Sequence, residues 1–298
     1  MSTQTSPKSR RTSGEKVLSA VTSRYNTQTV LLLAPALLVL AAVFVIPLAR
    51  LFSLAFTDPA GTWVPFQTLV ASPVYRQVVV NTLVVAFAVT AICAVLAWPV
   101  AYILSKLKGL WFVIALYGVL FPFWISVLVR TYAWMLLLER NGPLNRMLVE
   151  SGMTDGPIAL LFNNTGVMIG MVHVLLPYMI LPLYSAMSRI DPRLLLASDG
   201  LGAGLMDTFR RIYLPLCLPG LAGGATFVFL LSLGFFITPA LLGGANAITL
   251  SMLIASFVND RLAWSLAAAG SLVLLLVVLL IMGMTAKLLP LEKGMFAK

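Results

Sequence analysis

The chain has 298 residues, 60% of them hydrophobic and only 10% charged, with a formal net charge of +10 and a mean hydropathy of +0.99. That balance excludes a water-soluble globule of ordinary composition and points to an all-α protein crossing a membrane several times. The two cysteines, Cys93 and Cys217, lie in or beside apolar segments and give neither a disulfide framework nor a metal-ligand spacing.

Residues 1–29 are polar, carry Lys8, Arg10, Arg11, Lys16 and Arg24, and read as a mobile basic tail. The first apolar segment, Val30 to Phe56, is too long for a signal-peptide core and is expected to be retained as a span. Further spans are expected at about Val78–Leu104, Leu110–Leu138, Val167–Ile190, Leu221–Leu242 and Leu262–Leu289, six in all, each reaching the roughly 20 residues that a bilayer requires. Residues 30–289 form the membrane domain, and 290–298 a short terminal tail. Ala247 to Val258 is apolar but too short to span, and fits an interfacial or re-entrant piece.

Six spans put both termini on one side. That side holds fourteen Lys and Arg: the five of the tail, Lys106, Lys108, Arg189, Arg193, Arg210, Arg211, Lys287, Lys293 and Lys298; the other holds Arg76, Arg140, Arg146 and Arg261. The excess marks the side that is not translocated, so both termini are expected in the cytoplasm, and the basic charge needs no nucleic acid to explain it. Arg50 and Arg130 fall inside apolar segments. Each comes 20 residues after the segment's start, about 30 Å along a straight helix, where its side chain is expected to snorkel to an interface.

One hydrophilic stretch, 191–215, is too polar to cross. Asp191 before Pro192 reads as an N-cap with proline in the first turn, and Leu194 to Leu201 makes a short helix that Gly202 and Gly204 can end. A second short helix, from about Leu205 to Tyr213, places Met206, Phe209, Ile212 and Tyr213 near one face and is expected to stop at Pro215 and Pro219. The expected unit is an exposed helix–turn–helix.

These residues resemble the cytoplasmic loop of permease subunits of binding-protein-dependent ABC importers. The family pattern is Glu-Ala-Ala, three residues, Gly, nine residues, Ile-x-Leu-Pro. Leu196-Ala197-Ser198, Gly202 and Ile212-Tyr213-Leu214-Pro215 occupy those places without a gap, with Leu196 where the family has Glu and Asp199 as the nearby acid. Asn81-Thr82, Trp98-Pro99, Pro122-Phe-Trp124, Arg130-Thr-Tyr-Ala-Trp134, Asn141-Gly142-Pro and Thr238-Pro239 are similar to the spermidine/putrescine-type subfamily, whereas Phe235 stands where its members often carry Glu.

The resemblance implies the type I importer permease fold, six membrane helices with a cytoplasmic coupling helix–turn–helix, in a bacterial inner membrane. It implies an ATPase-coupling role for Asp191, Leu196, Ala197, Ser198, Asp199, Gly202, Phe209, Ile212, Leu214 and Pro215. The implied partners are a second permease subunit, usually a different chain, two ATPase subunits that carry the ATP and Mg, and a solute-binding protein outside. No cofactor is expected in this chain. Candidates for the substrate path are Asn81, Arg130, Trp134, His173, Tyr178 and Phe235. His173 is the only histidine, cannot build a metal site alone, and is expected to face a pore or, preferentially, to donate to a neighbouring helix.

The residues themselves offer two other classes. A self-sufficient secondary carrier is disfavoured because no Asp or Glu falls within an apolar core and no inverted repeat is visible. An intramembrane enzyme lacks a zinc-ligand pair, a nucleophile elbow and paired carboxylates, and no phosphate-binding loop is present, so no catalytic residue is expected. The resemblance implies a polyamine such as spermidine or putrescine as the solute, placed ahead of an amino-acid-like, opine-like or anionic one because selection in such importers rests largely with the binding protein. The absence of membrane-embedded carboxylates and the presence of Arg130 weigh against a polycation.

Overall fold

A computed structural model describes the backbone of residues 13–288 except 246, and side chains from 31 to 285. Two units result, 1–53 and 54–298. The first unit holds most of helix α1 (Ser13–Leu54), which carries Pro35 and Pro47 inside it. The residues from 13 to 29, expected as tail, are thus helical backbone, while residues 1–12 and the terminal tail 290–298 lie outside the described residues.

In the second unit, α2 (Val64–Ala71) leads into α3 (Pro73–Lys106), α4 (Gly109–Leu120), α5 (Val127–Leu138) and α6 (Pro143–Glu150). Then come α7 (Asn164–Ser188), α8 (Pro192–Gly200), α9 (Leu205–Thr208), α10 (Leu214–Leu233), α11 (Ile237–Leu242), α12 (Leu250–Asn259) and α13 (Trp264–Leu288). Five helices are long and apolar enough to cross a membrane, or six if one bent pair counts as a span.

The bent pair corrects the expected span at Leu110–Leu138. Its halves, Gly109–Trp124 and Val127–Glu150, meet at 96°. Pro122 lies in a 3₁₀ turn over Phe121–Trp124, and Ile125 is extended (φ −95°, ψ 130°), so the α-helical ladder cannot run through. Pro99, Pro177 and Pro182 behave differently and remain inside continuous helices.

The core lies where α3, α7 and α10 meet. Val85, Val89, Cys93, Ala97 and Ala101 recur every fourth residue of α3, and Val167, Met171, Leu175, Met179 and Leu183 every fourth residue of α7. Fourth-residue rows are the ridges that interdigitate when helices pack. Lipid tails are as apolar as these side chains, so close van der Waals fit rather than water exclusion must hold the helices together. Small residues permit it: a Cβ on Gly220 would meet Ala186 Cβ at 2.5 Å and the Pro182 carbonyl at 2.6 Å, and one on Gly224 would meet Met179 Sδ at 2.9 Å. Gly220 and Gly224 therefore pack against α7. Gly170 instead gives room to Leu242 and Thr238 of α11. A satellite cluster of Val78, Leu250, Leu253, Phe257 and Ala267 joins the start of α3 to α12 and α13.

Candidate functional site

The helix–turn–helix is present, with one change. Asp191 Oδ1 accepts from the Arg193 backbone N–H at 2.9 Å, Pro192 occupies the first turn, and α8 follows. Gly202 turns the chain with φ +77°, a backbone conformation that disfavours a side chain. The buried Ser198 hydroxyl and Thr208 Oγ1 share a 2.8 Å hydrogen bond that ties the two arms.

Pro215 does not end the second arm, contrary to expectation. The segment from Leu205 continues through a π turn at Phe209–Tyr213, where the Leu214 N–H reaches back five residues to the Phe209 carbonyl, and on into α10. Pro215 directly follows that π turn, where the regular i→i−4 ladder is already interrupted, so its missing N–H costs little. Arm and span are one helix, Leu205–Leu233, 29 residues long.

Phe209, one of the residues implied in coupling, turns back toward α3. It is 37% exposed, meets Trp98 edge-on with ring centroids 5.8 Å apart, and stacks on Tyr213. Trp98, Pro99, Tyr102, Leu195, Phe209 and Tyr213 line an apolar cavity of about 460 Å³ behind the loop. What stands out to solvent is Leu196 (69% exposed), Leu201 (88%), Leu205 (89%) and Met206. Ala197 and Asp199 are also exposed, whereas Ile212 and Leu214 are half-buried. Asp207 and Arg211 form the one ion pair among the described residues, too exposed to add much stability.

The substrate-path candidates fall into separate places. Arg130, Trp134, His173 and Tyr178 come together between α5 and α7: Trp134 meets His173 edge-on at 5.6 Å, and Arg130 lies within Coulombic reach of His173 and Tyr178. Tyr178 also packs on Phe123, centroids 5.0 Å apart. Two expectations fail here. Arg130 does not snorkel: the bend at 125–126 destroys the straight 30 Å path, the residue is 7% exposed, and its Nε and Nη1 find no acceptor among the described residues. Nor does His173 donate to a neighbouring helix, since its buried Nδ1 has no partner and the ring packs on Trp134 instead.

Asn81 sits elsewhere, near the start of α3. Its Nδ2 donates to the Ile248 carbonyl at 3.0 Å and its Oδ1 accepts from Asn164 Nδ2 at 2.8 Å. Phe235, just past α10, uses its carbonyl to accept from Ser251 Oγ at 2.7 Å. Sequence reasoning missed Asn164, the Thr131–Thr238 hydroxyl pair at 3.0 Å, and Thr82 Oγ1, which accepts from the Leu250 N–H at 2.8 Å. Thr82 and Thr238 stand in motifs that sequence similarity singles out, but nothing in the spacing discloses their partners.

No family model matches the chain. It is 38% identical over 201 residues to a spermidine/putrescine transport system permease protein, PotB, of Haemophilus influenzae, covering 67% of this chain and 70% of that one. It is 37% identical over 211 residues to PotB of Escherichia coli K12, covering 70% and 76%. Among solved structures it is similar to a chain of the bacterial alginate ABC transporter in complex with an alginate pentasaccharide-bound periplasmic protein. There the TM-score is 0.69 at 18% identity, over 88% of this chain and 95% of that one, which shows a shared fold.

Proposed function

This chain belongs to the spermidine/putrescine-type permease family of binding-protein-dependent ABC importers, and from that premise we propose that it forms half of an ATP-driven import path for a small amine-bearing solute, a polyamine such as spermidine or putrescine. The carrying observation is the match at 37–38% identity to permeases named for those two amines. The chain is a multi-pass membrane transport subunit and not an enzyme.

In this reading both termini face the cytoplasm of a bacterium, on the evidence of fourteen basic residues against four. The partner is a second, different permease subunit. Two ATPases hold the ATP and Mg, and a binding protein delivers solute from outside; the alginate importer named with its periplasmic protein supports that last contact. The exposed Leu196, Leu201, Leu205 and Met206 give the helix–turn–helix an apolar surface to bury in a groove of an ATPase. Movement of that groove then acts directly on α10, because arm and span are continuous.

A second reading, an importer of an amino-acid-like, opine-like or anionic solute, is favoured by one observation: Arg130 is a buried cation without an acidic neighbour among the described residues. A cationic solute gains nothing from it, whereas a carboxylate would. The deciding experiment is calorimetric titration of the cognate binding protein with putrescine and spermidine, followed by uptake through the reconstituted complex. Micromolar binding and uptake of either amine support the polyamine reading. No binding, with competition by an acidic solute, replaces it with the second.

A further inference from the structure

A path for amines without a membrane-embedded carboxylate needs another kind of acceptor, and the start of α3 supplies one. A cavity of about 320 Å³ is lined there by Val74, Gln77, Val78, Asn81, Asn164 and Ile248, all uncharged. Asn81 lies 17 positions before Trp98 on α3, about 26 Å along the helix from the loop contact and therefore at its opposite end.

The amides in this cavity are oriented by a relay. The Ile248 carbonyl can only accept, so Asn81 must present its Nδ2 to it, at 3.0 Å. Asn81 Oδ1 is thereby turned to accept, and Asn164 answers with its own Nδ2 at 2.8 Å. The relay ends on Asn164 Oδ1, which is buried and has no donor among the described residues. Leaving such an oxygen without a partner is costly. Its lone pairs call for a donor, and an alkylammonium is a donor with no acceptor of its own.

We propose that Asn164 Oδ1, fixed by Asn81 and covered in this conformation, becomes the accepting atom of a subsite for an alkylammonium group of the solute when the path opens, with Gln77 supplying a second amide oxygen at the rim. This deepens the polyamine reading and rests on it. Neutral amide oxygens suit a path: they offset desolvation of an amine without holding a polycation as a carboxylate would, so the solute can leave.

The test uses the assembled complex, this chain with the second permease, both ATPases and the binding protein, carrying a cysteine at the apolar lining position Val74 (Val74→Cys), which leaves both proposed amide oxygens in place. Spermidine is expected to slow alkylation of that cysteine by a neutral maleimide roughly tenfold, the discrimination that one charge-assisted hydrogen bond supports. Adding Asn164→Leu abolishes the protection, and Asn164→Asp, which keeps an acceptor oxygen, retains it. Co-purification of all subunits with each variant shows that the fold survives. Equal protection in Asn164→Leu overturns the subsite, as does a cysteine that never labels, because a site on the path must open to water. Spermidine uptake without protection overturns the subsite alone. Absence of both uptake and protection overturns the polyamine reading with it.

Discussion

Trp98 of α3 and Phe209 of the loop meet edge to face, ring centroids 5.8 Å apart and planes at 70°. This contact anchors the loop to the membrane helices from within, while Leu201, Leu205 and Met206 remain exposed beyond it. Aromatic pairs of this kind contribute about 0.5–1.5 kcal/mol beyond their buried area. Phe209→Ala and Trp98→Ala are each expected to lower solute-stimulated ATPase activity and uptake while leaving the chain in the membrane. In the double variant the losses should add to less than their sum, by an interaction of about 0.5–1.5 kcal/mol. Fully additive losses would mean that the rings act independently.

Packing predicts a contrast between two glycines three positions apart. A Cβ on Gly220 meets Ala186 and Pro182 at 2.5 and 2.6 Å, whereas one on Gly223 meets nothing within 4 Å. Gly220→Ala is expected to destabilise the solubilised chain by about 1–3 kcal/mol through forced separation of α10 from α7. Gly223→Ala should leave its melting temperature unchanged or slightly raised, since alanine is the better helix former. Thermal unfolding in one detergent compares them, and equal melting temperatures would refute the described packing of α10.

The proposed orientation predicts thiol accessibility. Cysteines in place of Leu201 and Leu205, 88% and 89% exposed, should be shielded from an impermeant reagent in intact cells, while one at Met153, 75% exposed, should react. The native Cys93 and Cys217 are fully buried and should stay silent. Reaction at Leu205→Cys from outside would invert the topology.

Arg130 separates the two solute readings. With no acidic neighbour among the described residues, its replacement removes a buried charge and leaves no stranded anion behind. Arg130→Met is therefore expected to be neutral or stabilising to the chain. Under the polyamine reading it preserves spermidine uptake within a few fold. Loss of all uptake with normal assembly would point to an anionic solute held by the guanidinium.

The parts of the fold that local chemistry dictates were readable from the residues. Asp191 and Pro192 announced the start of α8, Gly202 its turn, and the length of apolar runs located most spans. Hydropathy carries no direction, so the turn of 96° inside the uninterrupted apolar run after Gly109 left no trace beyond Pro122. Arg130 is buried where 20 residues of straight helix would have carried it to an interface, because the chain turns before reaching it. Pro215 misled in the opposite sense, because a proline inside a helix is tolerated where a π turn already interrupts the ladder, and nothing in the residue spacing announces that turn. Asn81 and Asn164, 83 positions apart, pair through the tertiary fold alone.

The π turn at Phe209–Tyr213 sets a rotational phase. Leu205–Leu233 is a rod of 29 residues, about 43 Å long at the usual helical rise. A wider turn within it fixes the azimuth at which Leu205 and Met206 leave the axis relative to the face that Gly220 and Gly224 press against α7. Deleting one residue from the turn would swing the loop by about 100° around the rod. The tip would then point in another direction, and the Phe209–Trp98 contact would be lost, while Gly220 and Gly224 kept their contacts with α7, so the loop's aim is indexed by these five residues and not by the length of the arm.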